Sequence, residues 1–168
     1  MKLFHIIRFA GITILSLTIV AGCAQNNSEN NTEGTNISAT KNAEPRFYTT
    51  NNGVAIKGAD PVAYFEAGKA MLGSEEYAYE WGNATWYFSS AENRDLFAAN
   101  PQKYAPQYGG FCAWALGQGE IQGIDPNAWT IVDGKLYLNY NQSVRRTWER
   151  DIQGNITKAN KNWPGILK

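Results

Sequence analysis

Histidine is all but missing from this chain: the single one is His5. It falls within residues 1–22, which read as a segment removed on export, so the processed chain is expected to hold no imidazole. Without one there is no His-based acid or base catalysis, no Ser-His-Asp triad and no His-ligated zinc or copper site. Cysteine is nearly as scarce, with Cys23 and Cys112 alone. If Cys23 is consumed by modification, one thiol remains and no internal disulfide can form. A surplus of positive charge is also lacking, since 15 Lys plus Arg balance 15 Asp plus Glu. The electrostatic footprint of a nucleic-acid binder is therefore not expected.

What is present begins with Lys2 and Arg8 ahead of an apolar run from Phe9 to Val20. A hydrocarbon core about 30 Å thick needs about 20 apolar residues in a helix, and this run stops short of that. The layout is that of a signal peptide over residues 1–22. It ends in Val20-Ala21-Gly22-Cys23, which resembles a bacterial lipobox, with Cys23 as the lipid-attachment residue. Ala24 follows, and in Gram-negative lipoproteins the lack of Asp at that position implies an outer-membrane address facing the periplasm. From residue 23 to 45 the chain is rich in Asn, Ser, Thr and Glu, with Ile37 its one large aliphatic. Such composition cannot bury enough apolar area to offset ordering entropy, so a flexible tether is expected.

Residues 46–168 are dense in Trp and Tyr and suffice for one domain. Val54-Ala55-Ile56-Lys57 reads as a short strand. Asp60-Pro61 supplies an N-cap and a first-turn proline for a helix through Tyr64-Phe65, closed near Gly68. Aromatic and β-branched runs flank Gly82-Asn83 and again Asp133-Gly134, which predicts two β-hairpins. Ser89 to Glu92 fits a capping box, Ser at N-cap and Glu at N3, for a helix ending near Ala99 before Asn100-Pro101. The apolar stretch Phe111–Leu116 is too short to assign. Ser143–Ile152 and Ile156–Trp163 read as helices, with Val144, Trp148 and Ile152 on one face. The fold class expected is α+β, a small domain with two β-hairpins and several short helices.

Asp60-Pro61-Val62, Thr85 to Ser90, Asn93 to Phe97 and Asn100 to Tyr104 resemble the YHS domain. With Tyr108 to Ala113 and Trp129 to Tyr140 added, the chain is more closely similar to the bacterial YHS domain-containing (seleno)protein group, over roughly Gly53 to Trp163. Metal-handling YHS domains carry one cysteine after Asp-Pro-Val and two after the Tyr-Phe of the hairpin, where thiolates suit soft or borderline metals. Here those positions hold Ala63, Ser89 and Asn93. The resemblance thus implies a retained fold and a lost metal site.

Cys112 is the remaining candidate thiol or metal site. It follows Gly109-Gly110 and precedes a potential helix start, where a thiol pKa falls; against that, Phe111, Ala113 and Trp114 beside it look like core. Met71 is the other soft donor considered for Cu(I), and a loop methionine is the simpler reading. Asp60, Asp125 and Asp133 each open a Pro or Gly turn, which accounts for them without catalysis. Trp81, Trp86, Trp114, Trp129, Trp148 and Trp163 offer either core or a binding surface. The function expected is non-enzymatic binding of a small ligand, metal or protein partner by a membrane-tethered envelope lipoprotein. No catalytic residue is assigned and no cofactor is required. The alternative is a thiol-dependent redox protein or a copper-type soft-metal binder using Cys112.

Overall fold

A computed structural model describes residues 46–167. The expected leader over residues 1–22, the expected lipidation at Cys23 and the expected tether over residues 23–45 lie outside the described residues. Among the described residues no helix is long and apolar enough to cross a membrane.

The architecture is α+β, two antiparallel hairpins with short helices between and after them. Strands β1 (Ser74–Trp81) and β2 (Ala84–Phe88) pair with Trp81 opposite Ala84 and Tyr79 opposite Trp86. Their turn residues, Gly82 and Asn83, both have positive φ, 60° and 58°, as a two-residue turn matched to strand twist requires. Strands β3 (Asp125–Val132) and β4 (Lys135–Asn139) pair around Asp133 and Gly134, at φ 50° and 70°. Each hairpin has one irregularity, between Ser74 and Ala78 in β1 and between Asp125 and Trp129 in β3. At the first, a Cβ on Gly73 would stand 2.3 Å from the Tyr87 carbonyl carbon, so the chain crosses β2 there only as glycine.

Short helices fill the rest: α1 (Ala63–Glu66), α2 (Ala91–Ala99), α3 (Pro101–Tyr104) and α4 (Ala113–Gly117). The chain closes with α5 (Gln142–Glu149) and α6 (Ile152–Asn162). Sequence reasoning carried the first of these last two helices through Ile152 and began the next at Ile156. The break instead falls at Arg150-Asp151, where the Asp151 carboxylate accepts from Gly154 N and starts α6. Val144 and Trp148 share α5, while Ile152 opens α6.

The expected strand over Val54–Lys57 is not formed. Ala55 and Val54 make only isolated bridges, to Thr49 and Thr85, and Ile56–Gly58 then turns as a 3-10 segment with φ of 41°, 58° and 75°. Left-handed backbone at a β-branched residue is costly. Tertiary structure supplies the compensation, because Ile56 is fully buried and its N–H bonds the Tyr48 carbonyl.

Two apolar clusters form the core. One gathers Ile56, Val62, Tyr64, Trp86, Phe88, Phe97, Leu136 and Leu138; the other gathers Tyr108, Leu116, Tyr137, Trp148 and Ala159. Strand β4 belongs to both, since alternate side chains face opposite ways. It is the seam of the unit.

Candidate functional site

Asp60 is fully buried, and its carboxylate is enclosed by donors. Oδ1 accepts from Val62 N at 2.8 Å and Ala63 N at 3.2 Å, so the Asp-Pro turn leads into α1 as expected. Oδ2 accepts from Ser89 N at 2.9 Å, Ser89 Oγ at 2.7 Å and Asn93 Nδ2 at 2.7 Å. Asn93 Nδ2 also reaches Ser89 Oγ, at 3.3 Å. The fold therefore brings Ala63, Ser89 and Asn93 together around the Asp60 carboxylate, joined by a hydroxyl and an amide. Every oxygen of Asp60 is satisfied from within.

This arrangement corrects the expected capping box. Ser90, not Ser89, is the N-cap of α2, accepting from Asn93 N, and Ser89 is drawn inward to Asp60 instead. Glu92 is simply an acidic residue in the first turn. Asp125 and Asp133 do behave as turn residues: Asp125 Oδ1 accepts from Asn127 N, and Asp133 sits in the second hairpin turn.

Cys112 is a free thiol with no exposed surface. Its Sγ accepts from Tyr140 N at 3.3 Å and lies 3.8 Å from Asn139 Oδ1, which also accepts from Trp114 N. It occupies the N-cap of α4, the place from which an activated thiol was reasoned. Burial raises its pKa above the ordinary 9.0, outweighing the opposing pull of backbone N–H groups at Ala115, Tyr140 and Trp114. Asn139 is also fully buried, and its Nδ2 has no hydrogen-bond partner among the described residues.

Met71 does not share this site; it lines a separate depression with Leu72, Ala70 and Pro126. No group of three His, Cys, Asp or Glu among the described residues is placed to hold a metal ion. Of the six tryptophans, Trp86 and Trp148 are fully buried. Trp81 stacks with Phe47, Trp86 and Phe97, Trp129 meets Tyr64, and Trp163 meets Tyr108 and Phe111. These rings therefore pack into the core rather than lining one common surface. Trp114 packs against both clusters as well, and in addition lines an open cup of about 300 Å³ together with Cys112, Glu120, Gln122, Tyr140 and Val144.

Sequence reasoning missed Asp60 as a hub and Glu120 and Tyr140 as surface beside the thiol. The turn half of Asp60's role was within reach, because Asp60-Pro61 is a local signal; its link to Ser89 and Asn93, and Glu120 and Tyr140, left none. In comparisons with known proteins, no family profile, no curated sequence and no solved structure matches this chain.

Proposed function

We propose that this chain is a lipid-anchored envelope protein of the YHS-like group, held through Cys23, whose folded unit binds a partner or small ligand and performs no thiol or metal chemistry. The observation that carries this reading is the closed hydrogen-bond knot of Asp60, Ser89 and Asn93. A carboxylate saturated by internal donors has no lone pair directed outward for a cation, and a hydroxyl and an amide do not replace thiolates toward soft metals. The burial and raised pKa of Cys112 support the same reading, since the thiolate is the reactive form and the ligand form of cysteine.

Two measurements test it. Native protein titrated with Cu(I) should take up less than one equivalent, and iodoacetamide near neutral pH should label Cys112 slowly in the folded state and fast after denaturation. One tightly held equivalent of Cu(I) that Cys112→Ser abolishes, or rapid native labelling, would establish the soft-metal or thiol alternative instead. For the anchor, Cys23→Ser should abolish incorporation of radiolabelled palmitate.

A further inference from the structure

We infer that residues 46–49 form a latch, which opens and closes as a unit while both hairpins stay paired and which couples two left-handed turns far apart in the chain. The inference depends on neither an anchor nor a ligand. Tyr48 lies between the two turns and is bonded to both: its N–H donates to the Gly109 carbonyl at 2.8 Å, and its carbonyl accepts from Ile56 N at 3.0 Å. In one turn Ile56, Lys57 and Gly58 have φ of 41°, 58° and 75°; in the other Tyr108, Gly109 and Gly110 have φ of 57°, 60° and 82°. Such backbone is costly at Ile56, Lys57 and Tyr108. The remaining non-glycine residues at positive φ among those described are Asn83 and Asp133, in hairpin turns that suit them. The two strained turns also meet directly, since a Cβ on Gly110 would stand 2.7 Å from Ile56 Cγ2.

The seat of the latch is built from separate stretches of chain. A Cβ on Gly82 would overlap the Phe47 ring, one on Gly109 would overlap the Arg46 carbonyl oxygen, and one on Gly123 would stand 3.0 Å from the Tyr48 hydroxyl. Phe47 packs on Trp81 and Trp86 with ring centroids 5.0 and 5.1 Å apart, and Tyr48 meets Phe111 edge-on at 5.7 Å. The segment nevertheless enters neither sheet. Its one ladder contact is the isolated bridge from Thr49 to Ala55, and Phe47, Tyr48 and Thr49 are only half-buried. Few backbone bonds and half-buried side chains are the conditions for local opening below the cost of global unfolding. Opening breaks both Tyr48 bonds at once and takes from each strained turn a partner that holds it, so the turns loosen with the latch.

Hydrogen exchange of the purified protein, followed residue by residue by NMR, tests this. Gly58 N bonds the Ala55 carbonyl and Phe111 N the Tyr108 carbonyl, so these two amides report on the two turns, as Tyr48 and Ile56 report on the latch. All four should share one protection factor, about tenfold or more below those of Trp86 and Tyr137, strand residues paired with Tyr79 and Thr130. Phe47→Ala removes the ring seated on Trp81 and Trp86 and should lower protection of all four by one common factor, about tenfold. Lys57→Gly, an exposed change that relieves one left-handed residue, should raise protection at Phe111, in the other turn, about threefold. If Phe47→Ala does not fold, the wild-type and Lys57→Gly measurements decide. Protection at Tyr48 and Ile56 equal to that at Trp86 and Tyr137 would mean that no separate opening exists. Protection at Phe111 that Lys57→Gly leaves unchanged would mean that the turns are uncoupled, and either result overturns the proposal.

Discussion

Asp60 gathers five donors onto one carboxylate: two backbone N–H groups from its own turn, and three from Ser89 and Asn93, 29 and 33 residues further along. That single side chain ties the start of α1 to the end of β2 and the first turn of α2. In Asp60→Asn, one of the two carboxyl oxygens becomes an NH2 facing other donors, so the variant should lose about 2–4 kcal/mol in urea unfolding. Ser89→Ala removes the hydroxyl's bond to Asp60 and its weaker contact with Asn93 Nδ2 but leaves the Ser89 N and Asn93 bonds to Asp60, so its loss should be about 1 kcal/mol. Equal losses in the two variants would mean that the knot does not act as drawn. The turn half of this site was legible in Asp60-Pro61, because an Asx turn is local. The half made with Ser89 and Asn93 depends on contacts far apart in the chain. Cys112 divides in the same way: its apolar neighbours signal core and its place before a helix signals reactivity, and only the burial decides between them.

At the scale of elements, legibility follows where the backbone is dictated locally. Both hairpins were readable because Gly82-Asn83 and Asp133-Gly134 accept the positive φ that the turns demand. The turn at Ile56–Gly58 was not, since its first residue is a β-branched side chain that prefers extended backbone and is overruled by its burial in the first cluster beside Gly110. The Ser89-Ser90 pair misled by one residue because Glu92 stands three residues after Ser89 and completes the capping-box pattern there, whereas Asp60 draws Ser89 inward and leaves Ser90 to cap. Two glycines separate conformational from steric need. Gly134 has φ +70° with open space around its missing Cβ, so Gly134→Ala should cost about 1 kcal/mol from backbone strain alone. Gly73→Ala would drive a methyl into the Tyr87–Phe88 peptide, and its destabilisation should exceed that of Gly134→Ala at least twofold in urea midpoints. Equal midpoints would contradict the close crossing at β2.

For the molecule as a whole, the perturbed acids share one sign. Burial raises Cys112 from 9.0, and raises Tyr64, Tyr108 and Tyr137 from 10.0, with Asp125 and Asp60 adding to the effect at Tyr64. An acid whose folded pKa lies above its unfolded value gives its full stabilisation below the unfolded pKa. That contribution is lost as pH rises through the interval up to the folded value. Urea stability should therefore be insensitive to these groups up to about pH 8.5 and then fall, first through Cys112 and above about pH 10 through the three phenols. Cys112→Ala should remove the earlier part of the fall and keep the later. A stability that rises between about pH 9 and 11 would refute this.

The Arg46 guanidinium donates to the Leu167 carbonyl, so the two ends of the described fold stand side by side. Ends this close can be spliced by a few glycines without moving either cluster, and the chain reopened in the exposed stretch at Gly68-Lys69. A circularly permuted version should therefore fold, and the unit should also tolerate insertion as a cassette into a surface loop of an unrelated host.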